Sequence, residues 1–229
     1  MTFSKEWNKC FINNTHMSVW PWSDVVGLVN RHCKSLILKP NGVNILELGC
    51  GAGANVTFFK KIGFNYYAVE GSSSIVNQLH NRFPDLTKQI ICGDFTKKIP
   101  FNMKFDLILD RSAITHNNLK SIKQTLKMVK NHLKNNSFFI GIDWFSTNHA
   151  EARNGSQIDD EFTRSNYSEG PFVGVGKVHF SNLSHIRDLL SDFKINYLEE
   201  KIIQKFDTYD SQYKQDKNKN FASWNFIAR

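Results

Sequence analysis

The 229-residue chain is predicted to be an α/β protein with a mostly parallel sheet and helices on both faces. Three observations predict it. Short apolar runs alternate with amphipathic stretches, the pattern of strands and covering helices. A glycine-rich turn, Gly49-Cys50-Gly51-Ala52-Gly53, follows the first of those runs. Acidic residues then close later runs at Glu70, Asp94 and Asp110. Ligands of such sheets bind outside the carboxyl ends of the strands, so the chemistry is to be sought there.

The elements follow in order. Asp24–Leu38 places Val25, Val29, Cys33 and Leu36 on one helical face, with Ser23 as a plausible N-cap. Val43–Leu48, Tyr66–Val69, Gln89–Cys92, Phe105–Leu109 and Phe138–Ile142 read as buried strands, each short, apolar or β-branched and flanked by turn residues. Between them, helices are expected over Asn55–Lys61, over Ser74–Arg82 with Ile75, Leu79 and Phe83 in register, and over Leu119–Leu133 with Ile122, Leu126, Val129 and Leu133. Asn182 is an N-cap candidate for a helix through Leu189–Leu190. Ile195–Ile203 and Phe221–Ala228 read as two further strands.

Composition narrows the class. The chain is 41% hydrophobic and 22% charged, ordinary for a globular protein. Its apolar runs fall short of the ~20 residues needed to cross a bilayer. Met1 to Asn14 carries Lys5, Glu6 and Lys9 and lacks the apolar core of a secretory signal. Cys10, Cys33, Cys50 and Cys92 form no C-x-x-C pair, which argues against zinc or a disulfide framework, and no metal site is expected. A cytoplasmic protein with reduced thiols is the expectation. The net charge of +8 admits a nucleic-acid partner, but its lysines are scattered rather than run together, which argues against one; a basic protein does tolerate an acidic substrate.

The turn by itself is ambiguous. Glycines there allow close approach of a ligand, and with Ala54 they also satisfy the G-x-G-x-x-A pattern of a dinucleotide site. Glu47, two residues earlier, would repel a pyrophosphate and suits a cationic ligand. Glu70, about 20 residues beyond the turn, can accept from both hydroxyls of a ribose, as it would for NAD. Asp94 can accept from an adenine amino group, and Phe95 can cover the ring.

Taken together, Ile45–Gly53, Ala68-Val69-Glu70-Gly71-Ser72, Gly93-Asp94-Phe95 and Phe105-Asp106-Leu107-Ile108 resemble the ordered motifs of class I methyltransferases that use S-adenosylmethionine (SAM). The resemblance implies a Rossmann-like, seven-stranded sheet whose last strand is antiparallel. It also implies that the turn meets the methionine part of SAM, Glu70 the ribose, and Asp94 with Phe95 the adenine. The residues expected to hold SAM, or its product S-adenosylhomocysteine, are Trp20, Glu47, Gly49, Cys50, Gly51, Asn55, Glu70, Gly71, Ser72, Asp94, Phe95, Asp110 and Arg111.

The acceptor side is less determined. The fourth strand runs into Asp110-Arg111-Ser112-Ala113-Ile114-Thr115-His116 and lacks the Asn/Asp-Pro-Pro-aromatic motif usual for methylation of base amino groups. The Asp-Arg pair resembles that of thiopurine-methyltransferase-like members. An alcohol acceptor wants a general base, for which His116 leads, followed by His179 and Asp143. An anionic acceptor wants cationic clamps instead, and Arg111, Arg153, Arg164 and Lys177 are the candidates. Residues 1–40 are expected to form a cover and first helix, with Trp7 to Trp22 closing over the cofactor; residues 41–143 the SAM-binding core; 144–180 a mobile acceptor lid; and 181–229 the last helix and strands of a single domain. Trp20-Pro21-Trp22, Asp110-Arg111-Ser112, Ile142-Asp143-Trp144-Phe145-Ser146 and Gly176-Lys177-Val178-His179-Phe180 are similar to a group of methyltransferases from bacterial surface-polysaccharide (capsule) clusters. Some of these serve O-methylation of sugars and others O-methyl phosphoramidate decoration. That resemblance implies a small anionic or sugar-linked acceptor. An RNA methyltransferase, a NAD(P)-binding oxidoreductase and a non-catalytic SAM-binding protein are the competing readings.

Overall fold

The computed structural model describes residues 6–204 and 220–229. The start of the N-terminal stretch judged not to be a signal, through Lys5, lies outside them. Ten strands and seven α-helices are described: α1 (Glu6–Ile12), α2 (Ser23–His32), α3 (Lys34–Ile37), β1 (Asn44–Leu48), α4 (Val56–Lys61), β2 (Asn65–Glu70), α5 (Ser73–Arg82), β3 (Ile90–Cys92), β4 (Phe105–Arg111), α6 (Leu119–His132), β5 (Leu133–Phe145), β6 (Ser156–Gln157), β7 (Thr163–Ser165), β8 (Val178–His179), α7 (Leu183–Leu189), β9 (Ile195–Ile203) and β10 (Phe221–Ala228).

Seven strands form one sheet in the order β3-β2-β1-β4-β5-β10-β9. The first five run parallel, and β10 is antiparallel to both β5 and β9. The order reverses at β1, so the carboxyl ends of β1 and β4 open the crevice where a doubly wound sheet binds its ligand. The expected Rossmann-like fold is the one observed. Apolar side chains cover both faces. Ile45, Leu107 and Ile140 pack with α2 and α4 residues on one side; Leu46, Ile108 and Phe139 pack with Ile122, Leu126 and Val129 of α6 on the other. No helix among the described residues is long and apolar enough to cross a membrane.

Several local expectations are corrected. The stretch Asp24–Leu38 is not one helix: the backbone leaves helical geometry at Cys33 and resumes for a single turn. Trp22, not Ser23, stands at the α2 N-cap; it makes no side-chain cap, and its N–H donates to Asn55 Oδ1 (3.3 Å). β5 begins at Leu133, where the helix was expected to end, and continues to Phe145. Two capping side chains act as their chemistry suggests: Asn118 accepts from Ser121 N, and Asn182 accepts from His185 N. The long connection after β5 is not structureless. Its short strands β6, β7 and β8 form a separate antiparallel sheet over their own apolar cluster, which includes Phe145, Tyr167, Phe172 and Phe180.

Candidate active site

The carboxyl ends of β1, β2 and β4 open into a cavity of about 570 Å³. Its floor is the glycine turn. Gly49 has φ +68°, and a Cβ there would lie 2.2 Å from Ala113 Cβ, so only glycine lets the turn sit against the β4 loop. Gly51, Asn55, Glu70, Gly71, Asp94 and Phe95 line the same cavity, as do Glu47 and Cys50.

Two carboxylates are held rigidly. Glu70 Oε2 accepts from Gly51 N and Oε1 from Ser72 N, both at 2.9 Å, which ties the β2 end to the turn. Burial pushes the Glu70 pKa up, and those backbone N–H groups oppose the rise. Glu47 Oε1 accepts from Asn55 Nδ2 (2.8 Å) and Oε2 from Tyr66 OH (2.5 Å). Burial raises Glu47 to about 7 despite both bonds, so the carboxyl is poised near neutrality. Asp94 caps its own loop by accepting from Thr96 N and Oγ1.

The opposite wall comes from the β4 loop and the N-terminal stretch. Arg111 Nη2 donates to Asp143 Oδ2 (2.7 Å), and its guanidinium lies 3.5 Å from the centre of the Trp22 ring. His116, on the turn after β4, faces Trp7 edge-on with ring centres 4.8 Å apart. Its Nδ1 meets the Lys177 carbonyl at 3.0 Å. A carbonyl can only accept, so Nδ1 carries the proton and Nε2 keeps the lone pair. Burial lowers the His116 pKa to about 4.

The cavity thus brings together Glu47, Gly49, Cys50, Gly51, Asn55, Glu70, Gly71, Asp94, Phe95, Arg111 and His116. Five expected site residues are placed otherwise. Trp20 is 80% exposed, while Trp22 turns inward. Ser72 is fully buried; it caps α5 and positions Glu70 without lining the cavity. Asp110 is buried behind the wall, accepting from Ile114 N and from Trp144 Nε1, and burial raises it to about 7. Asp143 also lies behind the wall, ion-paired to Arg111 and Lys201. His179 is buried in the small sheet between Thr163 Oγ1 and His185 Nε2, and burial lowers it to about 3. None of residues 144–180 lines the cavity in this structure.

Among the lining residues that escaped individual prediction are Trp7, Phe11, His16, Met17 and Ser18. They belong to α1 and the turn after it, within the stretch Trp7 to Trp22 expected to cover the cofactor. α1 is fastened by Asn8 Oδ1, which accepts from Ser72 Oγ (2.7 Å) and Ser74 Oγ (2.9 Å), and by Phe11, buried against Ala52 and Ile75. The aromatic spacing Trp7–Phe11 was the available signal, since i and i+4 share a helix face.

Residues 45–136 match a family described as a methyltransferase domain. No curated protein matches the chain in sequence. Among solved structures, a protein of Pyrococcus horikoshii OT3 superposes with a TM-score of 0.64 at 16% identity, over 96% of this chain and 97% of its own. An S-adenosylmethionine-dependent methyltransferase of Clostridium acetobutylicum superposes with a TM-score of 0.57 at 17% identity, over 99% and 92%. TehB of Haemophilus influenzae gives 0.61 at 14% identity over 97% of this chain, which spans only 66% of TehB. Residues 45–136 therefore match a methyltransferase-domain family, and the whole chain has the fold of these solved structures.

Proposed function

We propose that the chain transfers the methyl group of SAM to a hydroxyl of a small acceptor, with His116 as general base. The observation that carries this reading is the contact of His116 Nδ1 with the Lys177 carbonyl, which leaves the lone pair on Nε2 of a ring that lines the cavity.

The cavity suits SAM better than a dinucleotide. Three carboxylates, Glu47, Glu70 and Asp94, line it against one Arg or Lys side chain, Arg111, among the described residues. That balance opposes a diphosphate and favours a sulfonium and an ammonium. In this reading Glu70 accepts from the ribose hydroxyls, Asp94 and Phe95 hold the adenine, Glu47 and the turn face the ammonium, and Arg111 faces the α-carboxylate. When bound, SAM would supply an activated methyl group, which the acceptor oxygen would take in exchange for the sulfur. The protein's task is alignment of that oxygen and removal of its proton to His116 Nε2.

For the acceptor we favour a sugar-linked hydroxyl, as the resemblance to surface-polysaccharide methyltransferases suggests, in a cytoplasmic setting that the four free cysteines support. An acceptor clamped through its own anionic group draws less support, since Arg153, Arg164 and Lys177 all lie outside the cavity wall and Lys177 is paired with Asp159. The test is transfer of labelled methyl from SAM to a panel of sugar and sugar-phosphate acceptors. His116→Ala should lower kcat by about 10²–10⁴ with little change in S-adenosylhomocysteine affinity. Undiminished kcat would remove His116 as the base.

A further inference from the structure

The ends of β4 and β5 hold two non-glycine residues side by side in left-handed backbone, Ser112 (φ 59°) and Asp143 (φ 54°). Each such residue costs about 1–3 kcal/mol and persists only where its surroundings over-determine it. Here Ser112 N donates to the Ile142 carbonyl (3.0 Å), Ser112 Oγ donates to the Asp143 carbonyl (2.8 Å), and Asp143 N donates to Asn225 Oδ1 (2.9 Å). This backbone aims the Asp143 carboxylate sideways along the sheet rather than into the cavity. Its Oδ2 takes Arg111; its Oδ1 takes Ser223 Oγ (3.0 Å) and Lys201 Nζ (2.8 Å). Lys201 also donates to Asp24 Oδ2 (2.6 Å) at the start of α2, two residues after Trp22, whose ring covers Arg111.

Lys201 is on β9, the outermost strand, and does not touch the cavity. It is nevertheless the clip between the two supports of Arg111, the one guanidinium that lines the cavity among the described residues. On one side it fixes Asp143, which holds Arg111 from behind; on the other it fixes α2, which holds Trp22 over Arg111. Burial alone would lower the Lys201 pKa, but Asp143 and Asp24 outweigh it and keep the ammonium charged. Without Lys201, Asp143 Oδ1 loses its cationic partner, the carboxylate is free to swing, and Arg111 gains the freedom to follow.

We propose that Lys201 is a positioning residue for the cofactor: through Asp143 and Asp24 it sets the Arg111 guanidinium at the place where the α-carboxylate of SAM is received. The proposal rests on the assignment of Arg111 to that carboxylate. The test compares two ligands in one variant. S-adenosylhomocysteine carries the amino-acid carboxylate, and 5′-methylthioadenosine lacks it. In Lys201→Met, binding of S-adenosylhomocysteine should weaken roughly tenfold, the loss expected when a charge-assisted bond of ordinary strength is misplaced, while binding of 5′-methylthioadenosine stays the same. Lys201→Arg, which keeps two cationic contacts, should restore most of the loss. Because the two affinities are read in the same sample, a reduced folded fraction cancels from their ratio. An unchanged ratio in Lys201→Met overturns the proposal, as does a loss that Lys201→Arg fails to rescue. Failure of the wild-type protein to bind S-adenosylhomocysteine would instead strike the assignment of the cavity to SAM.

Discussion

Glu47 shows how burial and ligand chemistry oppose each other in one side chain. Its pKa stands at about 7 in the folded protein against 4.5 as the ordinary value. A carboxyl raised on folding binds its proton more tightly in the native state, so stability falls as pH rises from 4.5 through about 7 and the full cost is present above that. The shift corresponds to about 3 kcal/mol at most. A bound ammonium reverses the balance, because an adjacent cation favours the carboxylate. Binding of SAM or S-adenosylhomocysteine should therefore release part of a proton near pH 6.5 and tighten between pH 6 and 8. Titration calorimetry in two buffers of different ionisation enthalpy reads that proton directly. Glu47→Gln should flatten the pH dependence, weaken binding at pH 8 and raise the melting temperature of the ligand-free protein there. A pH-independent wild-type affinity would detach Glu47 from the ammonium. His116 gives the complementary expectation. Lowered to about 4, it is neutral above about pH 5. Hence kcat/KM should stay level from pH 7.5 down to about 5 where an ordinary histidine base would lose activity near 6.5. An inflection near 6.5 in the wild type would argue that another group removes the proton.

At the scale of elements, periodicity is legible where an element is stabilised along its own length. The strands β9 and β10, with ranges Ile195–Ile203 and Phe221–Ala228, emerge from the sequence with the bounds they have in the structure. The motif residues at the ends of β1 to β3 are legible too, because the turn between β1 and α4 needs glycine for a steric reason. What depends on tertiary partners is not. α1 has seven residues and a single buried one, Phe11, so apart from the Trp7–Phe11 spacing little in its own sequence demands it; it is seated against the turn and α5. Trp20 and Trp22 are equivalent in the sequence, and only the path of the backbone into α2 turns the second inward. Asp110 and Asp143 carry the group expected of site residues, yet burial under Trp144 and pairing with Lys201 make them supports. The connection after β5 changes meaning for the same reason. It reaches the site through the Lys177 carbonyl on His116 and through Asp160, which accepts from Leu119 N at the start of α6. Deleting Asn154–Glu169 removes Asp160 and Tyr167 and loosens that support. The expected signature is a fall in kcat, since His116 loses its anchor, with S-adenosylhomocysteine affinity unchanged, since the deleted residues contribute nothing to the cavity wall. Single-turnover kinetics beside a binding titration separates the two, and a loss of affinity alone would show that the segment touches the cofactor.

For the whole molecule, the question is which ligand class the charge distribution selects. The chain carries 29 basic and 21 acidic residues, yet its main cavity is lined by three carboxylates and one arginine among the described residues. The overall field attracts anions, while the site, on the proposed reading, takes a ligand that brings positive charge and hydroxyl donors. Thermal shift resolves this contrast, because a ligand that binds only the folded state stabilises it by an amount set by its concentration over Kd. At a hundred times Kd the gain is about 2.7 kcal/mol. A protein of this length gains about 2–4 °C per kcal/mol, so saturating S-adenosylhomocysteine should raise the melting temperature by about 5–10 °C. NAD and NADP present a diphosphate to Glu47 and Glu70 and should leave it unchanged. Raising the salt from 50 to 500 mM should hardly diminish the S-adenosylhomocysteine shift, because buried contacts around the turn are poorly screened, whereas any gain from RNA would collapse over the same range. A shift with NAD and none with S-adenosylhomocysteine would mean that the glycine turn serves a dinucleotide after all, and that Glu47, being half protonated in the free protein, is no barrier to a diphosphate.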